Sequence, residues 1–425
     1  MTPQARSLGR FSIGVGDRFG HQAKAQLRAC AAASQAGVAV TPVWNKSNRE
    51  HMIIGSDPAE TRAAADAAVA QLGWRGAYFC DADHIRRDTV ERFVQPCDFF
   101  TIDVADRIGA APEPAELDGF VQRHAGLAGT LELPGIAEPL QVTREDLARV
   151  GRQYLAAAVE AGACYRQIER AKQGAPFLTE VSMDETDAPQ GPVELLLILR
   201  ALADAHVPVA TIAPKFSGRF NKGVDYVGDV PLFAREIEED MAVARYAAEA
   251  FGLPAELKLS LHSGSDKFSI FGAVHEAMEK MGAGLHLKTA GTTWLEEVIG
   301  LAESGGKALE LVKEIYAGAY GHCEELCAPY AAVIDIDPTR LPEPATAERW
   351  TAEEWAGALR HEPASREYNS SLRQLMHVGF KIAAKMGQRY TDMLKAHEDR
   401  VAENVTRNLL ERHIRPVFLG QRAGT

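Results

Sequence analysis

The chain has 425 residues, 46% of them hydrophobic, and its 58 acidic against 46 basic side chains leave a formal net charge of -12. This length supports a barrel of roughly 250 residues plus a further layer, and the acidic balance excludes the concentrated basic face that nucleic-acid binding requires. No membrane partnership is expected, because no stretch of 18 apolar residues runs uninterrupted and the segment MTPQARSLGRFSIGVG lacks the apolar centre of a secretory signal.

Six cysteines, at 30, 80, 97, 164, 323 and 327, have no repeating spacing and fit a reduced, cytoplasmic protein better than a disulfide framework. From the amino end, short apolar runs alternate with helical periodicity, the signal of repeated βα units. Eight strands are predicted: GRFSIGVG (9–16), VAVTPVW (38–44), GAYFC (76–80), DFFTIDV (98–104), PFLTEVSM (176–183), VPVATIAP (207–214), LKLSL (257–261) and GLHL (284–287). Eight closes a (β/α)8 TIM-type barrel. The connection from Asp106 to Gly174 exceeds an ordinary crossover, and reads as a long insertion after the fourth strand: an elaborated Pro/Gly-rich loop, then a helix from TREDLARV. Beyond Trp294 the pattern turns helical, so residues 1–304 are read as the catalytic barrel and 305–425 as a helical extension packed on it.

Polar residues at the carboxyl tips of barrel strands are where such proteins build their sites. His84, His262 and His286 fall at the tips of the third, seventh and eighth predicted strands. A single histidine near a strand is ordinarily a hydrogen-bonded rim residue, but three on one rim point to a metal site. Imidazoles suit zinc, manganese, iron, cobalt or nickel and leave coordination positions open for substrate oxygens.

Asp81 and Asp83 are two apart and share one side of an extended strand. They could cap a following helix, or Asp83, beside His84, could act as general acid or base. Glu180, inside the apolar PFLTEVSM, is explained by an inward-facing catalytic carboxylate, with Asp184 and Glu185 as substitutes for that role; Asp187 belongs to the same acidic loop. Lys215, Arg219 and Lys222 follow the sixth strand, and Lys288 follows His286; they are candidate partners for a substrate carboxylate or phosphate. Asn45, Lys46 and Asn48 are suited to reading sugar hydroxyls. His361, Tyr368, Arg373 and His377 could close over a pocket, though simple packing comes first. GVGDRFG misses the dinucleotide fingerprint by one residue, and HCEELC lacks the second pair of a zinc knuckle.

The ordered segments FSIGVGDRFG, FCDADHI, LTEVSMDETD, PKFSGRFNKGVDYVGD, LSLHSGSDKFS and HLKTAGTTW, spread over residues 11–294, resemble the tagaturonate epimerase family. The resemblance implies a divalent-metal-dependent barrel isomerase interconverting the sugar acids tagaturonate and fructuronate. It implies Asp83 and a later acid as proton-transfer groups and His84, His262 and His286 as ligands. The two keto-uronates differ at carbon 4, alpha to neither carbonyl, so inversion is expected by retro-aldol cleavage between carbons 3 and 4 and re-addition, with the metal holding the ketone side. Asp83 and Glu180 are expected to move the hydroxyl proton, with Lys215, Arg219 or Lys288 on the carboxylate. A ketohexose 4-epimerase, a sugar isomerase, a class II type aldolase or a non-catalytic ligand-binding barrel would use similar residues; the sequence leaves oligomeric state open.

Overall fold

The computed structural model describes residues 7–184, 186 and 188–421. The strands are β1 (Phe11–Gly16), β2 (Val40–Ser47), β3 (Phe79–Ile85), β4 (Phe99–Asp103), β5 (Gly129–Leu131), β6 (Leu140–Val142), β7 (Leu178–Ser182), β8 (Val209–Ala213), β9 (Lys258–Leu261) and β10 (Leu285–Thr289). Eight of them close a parallel barrel in the order β1-β10-β9-β8-β7-β4-β3-β2, while β5 and β6 form a separate antiparallel pair. This is the expected TIM-type fold, with the expected strands. Three strands run past the end of their apolar stretch: β2 to Ser47, β3 to Ile85 and β10 to Thr289. Asn45, Asp81 and Lys288 can sit inside a strand because the barrel interior is itself polar.

Alternation explains the two environments. Ile13, Val15, Trp44, Cys80, Ala82, Phe100, Ile102, Leu259 and Leu287 face the helices in the main core, where each large buried side chain is worth about 1.5–3 kcal/mol. The opposite parity fills the barrel. Leu8, Val43, Phe79 and Phe99 form a small apolar plug near the strands' amino ends, and Asp81, Thr101, Glu180 and Lys288 lie above it.

The long connection after β4 holds more order than its composition suggests. Pro114 occupies the first turn of helix Pro114–Arg123, and the β5–β6 pair follows, its strands three residues long and too short for an alternation signal. Thr143 then caps helix Arg144–Lys172 by accepting from the Asp146 N–H, with the Asp146 carboxylate answering the Thr143 N–H.

After Gly305 the chain is largely helical and packs back on the barrel. Helix Glu398–Arg407 lies against helix Thr292–Glu303, and a Cβ on Gly300 would stand 2.9 Å from Val401 Cα, so this crossing needs glycine. The fully buried Arg373, in helix Ser370–Val378, pairs with Asp266 at 3.1 Å and donates to Gly223 O at 2.5 Å. The extension thereby grips the loops after β8 and β9. No helix among the described residues is long and apolar enough to cross a membrane.

Candidate active site

The carboxyl ends of the barrel strands open into a cavity of about 410 Å³. On its β3 wall, Asp81 and Asp83 share the inward parity, as expected from their spacing. His84 has the opposite parity and is turned back toward the cavity by a local irregularity: its φ is 52°, and the β3–β4 register shifts between Ala82 and Ile85. Its ring then lies 5.2 Å from that of His262. His262 follows β9 just ahead of Ser263, which also has a left-handed φ, of 51°.

A buried ion cluster ties these walls together. Lys288 Nζ lies 2.7 Å from Asp83 Oδ1, 2.8 Å from Asp81 Oδ2 and 3.2 Å from Glu180 Oε1, and donates to Thr101 Oγ1 at 2.7 Å. Glu180 also meets His262 Nε2 at 2.7 Å and accepts from Thr211 Oγ1 at 2.6 Å. Burial alone would raise every carboxyl pKa here. It prevails at Asp81, pushed up to about 6 against the pull of Lys288. At Asp83 the Lys288 and His84 cations outweigh burial and hold the carboxyl below the usual range. Lys288 and His262 do the same for Glu180, while Asp184 and Glu180 lift His262 to about 10 despite its burial.

His84, Asp184 and His262 each offer a ligand atom, all within 4.8 Å of one another, and this group could hold a metal ion. The donor set fits one: two imidazoles and a carboxylate leave positions open on a divalent ion. His262 Nδ1 is 3.2 Å from Asp184 Oδ1 but outside hydrogen-bonding geometry, so among the described residues it is a buried nitrogen without a hydrogen-bond partner. His286 does not join the group. Its Nδ1 faces Ser12 Oγ at 2.9 Å and its ring packs 5.6 Å from Phe99 of the apolar plug, with burial lowering its pKa to about 3. It is two residues before Lys288 on β10, and hence deeper in the barrel.

Of the five cations expected to meet substrate, Lys222 and Lys288 line the cavity and Lys46, Lys215 and Arg219 do not. Lys46 has the outward parity, donates to Ser56 Oγ at 2.7 Å and does not line the cavity. Lys215 donates to Thr186 O, and the half-exposed Arg219 pairs with Asp335 at 3.2 Å; neither lines the cavity. Lys288 does line it, as a member of the ion cluster. Glu180 lies behind the wall rather than on it, whereas Asp83 and Asp184 line the cavity. Glu185 and Asp187 lie outside the described residues.

Sequence reasoning missed Arg18, Thr101, Asn221 and Lys267. Thr101 had a signal, as a polar residue at inward parity in DFFTIDV; Arg18 had one in its position just past β1. His377, from the extension, does reach the cavity. A Cβ on Gly291 would fall 1.7 Å from its Nε2, so the glycine is required for the histidine to sit there.

A closed parallel barrel with carboxylates, a buried lysine and a donor triad at its strand tips is an enzyme architecture for small polar substrates. The tagaturonate epimerase family matches residues 1–416. The chain belongs to that family and is an isomerase. It is 28% identical over 421 residues to the tagaturonate/fructuronate epimerase of Thermotoga maritima, covering 95% of this chain and 80% of that protein. It is also similar to the native crystal structure of the fructuronate-tagaturonate epimerase from Cohnella laeviribosi, with a TM-score of 0.79 and 25% identity over 98% of this chain and 82% of that one. A glycerol complex of the same protein gives a TM-score of 0.80, covering 98% of this chain and 83% of that one.

Proposed function

We infer that the protein interconverts tagaturonate and fructuronate by inverting carbon 4, using a divalent cation held by His84, Asp184 and His262. The observation that carries this reading is the adjacency of Asp83 to that donor group in one cavity, in a chain matched by the epimerase family along nearly its whole length. The cation supplies Lewis acidity at the ketone side of the substrate. Asp83 takes the proton of the carbon-4 hydroxyl, and the Lys288 ammonium 2.7 Å away keeps it ionised for that role. The bond between carbons 3 and 4 then breaks, leaving an aldehyde at carbon 4 and sending the electron pair toward the ketone. Rotation of the aldehyde and re-formation of the bond on its other face complete the inversion.

Glu180 acts from behind the wall. Lys288 donates to it and to Asp83, at 3.2 and 2.7 Å, so Glu180 anchors the ammonium that keeps Asp83 ionised, and Asp83 itself returns the proton to the carbon-4 oxygen after the bond re-forms. The buried carboxamide oxygens of Asn45 and Asn221, both unpartnered among the described residues, lie at the cavity and suit substrate hydroxyls. Product analysis tests the reading. Fructuronate should yield tagaturonate; accumulation of two three-carbon fragments would make the protein an aldolase.

A further inference from the structure

His377 belongs to the helical extension, in the last turn of helix Ser370–Val378, yet it lines the cavity while being almost fully buried. The barrel holds its backbone from three sides. After β1, Arg18 donates to His377 O at 3.0 Å, and Arg18 is itself fixed by Glu50 at 2.9 Å. Beyond β10, Trp294 Nε1 donates to Met376 O at 2.8 Å. After β8, Gly223 O accepts from Arg373, one turn earlier in the same helix. Arg18 and Trp294 thus meet carbonyls of a last helical turn, where the helix itself runs short of donors.

The imidazole, by contrast, is left open. Its Nδ1 is buried and without a hydrogen-bond partner among the described residues. Leaving such a nitrogen unpaired costs free energy that an apolar side chain in the same space would not, and the ring fits only because residue 291 is glycine. Burial, followed by the nearby Arg18 cation, holds its pKa well below the usual histidine value, so the ring is neutral. A neutral imidazole offers one N–H and one lone pair, a combination that a hydroxyl, itself donor and acceptor, can satisfy.

We propose that His377 binds a hydroxyl of the sugar chain, so that the helical extension completes the substrate site at the ends of β1 and β10. The proposal rests on the epimerase reading above. It gives the extension a direct part in substrate binding as well as its part in packing.

The test measures kcat and KM for fructuronate in wild type, His377→Leu and His377→Asn, with thermal unfolding of each. Losing one hydrogen bond made alike in the ground and transition states should raise KM about tenfold in His377→Leu and leave kcat within about threefold. Asparagine puts a donor and an acceptor near the place of Nδ1, so His377→Asn should bring KM back to within about threefold of wild type. A wild-type KM in His377→Leu, or an equal rise in both variants, overturns the proposal and leaves His377 as packing. Should the leucine variant fail to fold, His377→Ala is read in its place by the same criteria. If wild type does not convert fructuronate, the epimerase reading fails first. Calorimetric binding of fructuronate to the same proteins then decides the contact alone: affinity lost in His377→Leu and regained in His377→Asn upholds it, while equal affinities, or no binding to wild type, overturn it.

Discussion

Lys288, on the last barrel strand, reaches across the interior to place its ammonium 2.7 Å from the carboxylate of Asp83 on the third. The same nitrogen meets Asp81 and Glu180, so one cation holds three acids together at the floor of the cavity. The pair fixes Asp83 in its ionised form at the edge of the cavity, and it makes the site a structural as well as a chemical unit.

Removing that cation should therefore cost stability. Lys288→Met leaves Asp83 with His84, Glu180 with His262 and Asp81 with no cation at hydrogen-bonding distance among the described residues, and breaking a buried ion pair in this way costs about 3–5 kcal/mol. Thermal or denaturant unfolding should show the loss, and adding Asp81→Asn should recover part of it. A Lys288→Met protein as stable as wild type would mean that the acids are already protonated.

Asp83→Asn keeps the shape of the side chain and removes its basicity. Turnover should fall about 10²- to 10⁴-fold, the range for loss of a general base. Circular dichroism and metal content should be unchanged. Wild-type turnover in a folded, metal-loaded variant would remove Asp83 from the proton-transfer role.

Metal content separates His286 from the donor triad. After reconstitution and desalting, His84→Ala and His262→Ala should lose bound divalent ion, measured by elemental analysis, while His286→Ala retains it. Loss of metal from His286→Ala with the fold intact would restore the three-histidine set.

Glu296 offers a pH test away from the site. It is buried beneath the extension, with Asn408 donating to it at 3.0 Å, and burial raises its pKa to about 7. Between pH 4.5 and 7 the folded state binds this proton and the unfolded state does not, so its contribution falls as pH rises. The full change is on the order of 3 kcal/mol. Unfolding free energies measured from pH 4.5 to 7.5 should decline less steeply in Glu296→Gln than in wild type; parallel profiles would show that Glu296 titrates normally.

The barrel was legible because its outward face is written in Val, Ile, Leu and Phe at the correct spacing. Asp81, Asp83 and Glu180 were legible because an acid in such an apolar run is costly to bury unless it faces a polar interior. Depth and parity were harder to read. The pattern placed Lys46 among polar residues but not on the outer side of β2, and it treated His286 as a tip residue although β10 continues to Thr289. The turn at His84 depends on a left-handed φ that no residue type announces. Lys222 was in view among the cations after the sixth strand, but its post depends on a contact with Val333, more than a hundred residues away.

The central claim is that Asp83 and the His84, Asp184 and His262 group work together on a keto-uronate. The most direct measurement follows fructuronate by NMR with chelator-treated protein, before and after a divalent ion is restored. The account predicts that tagaturonate formation is lost on chelation and returns with the ion. Conversion that continues unchanged in metal-free protein would contradict it.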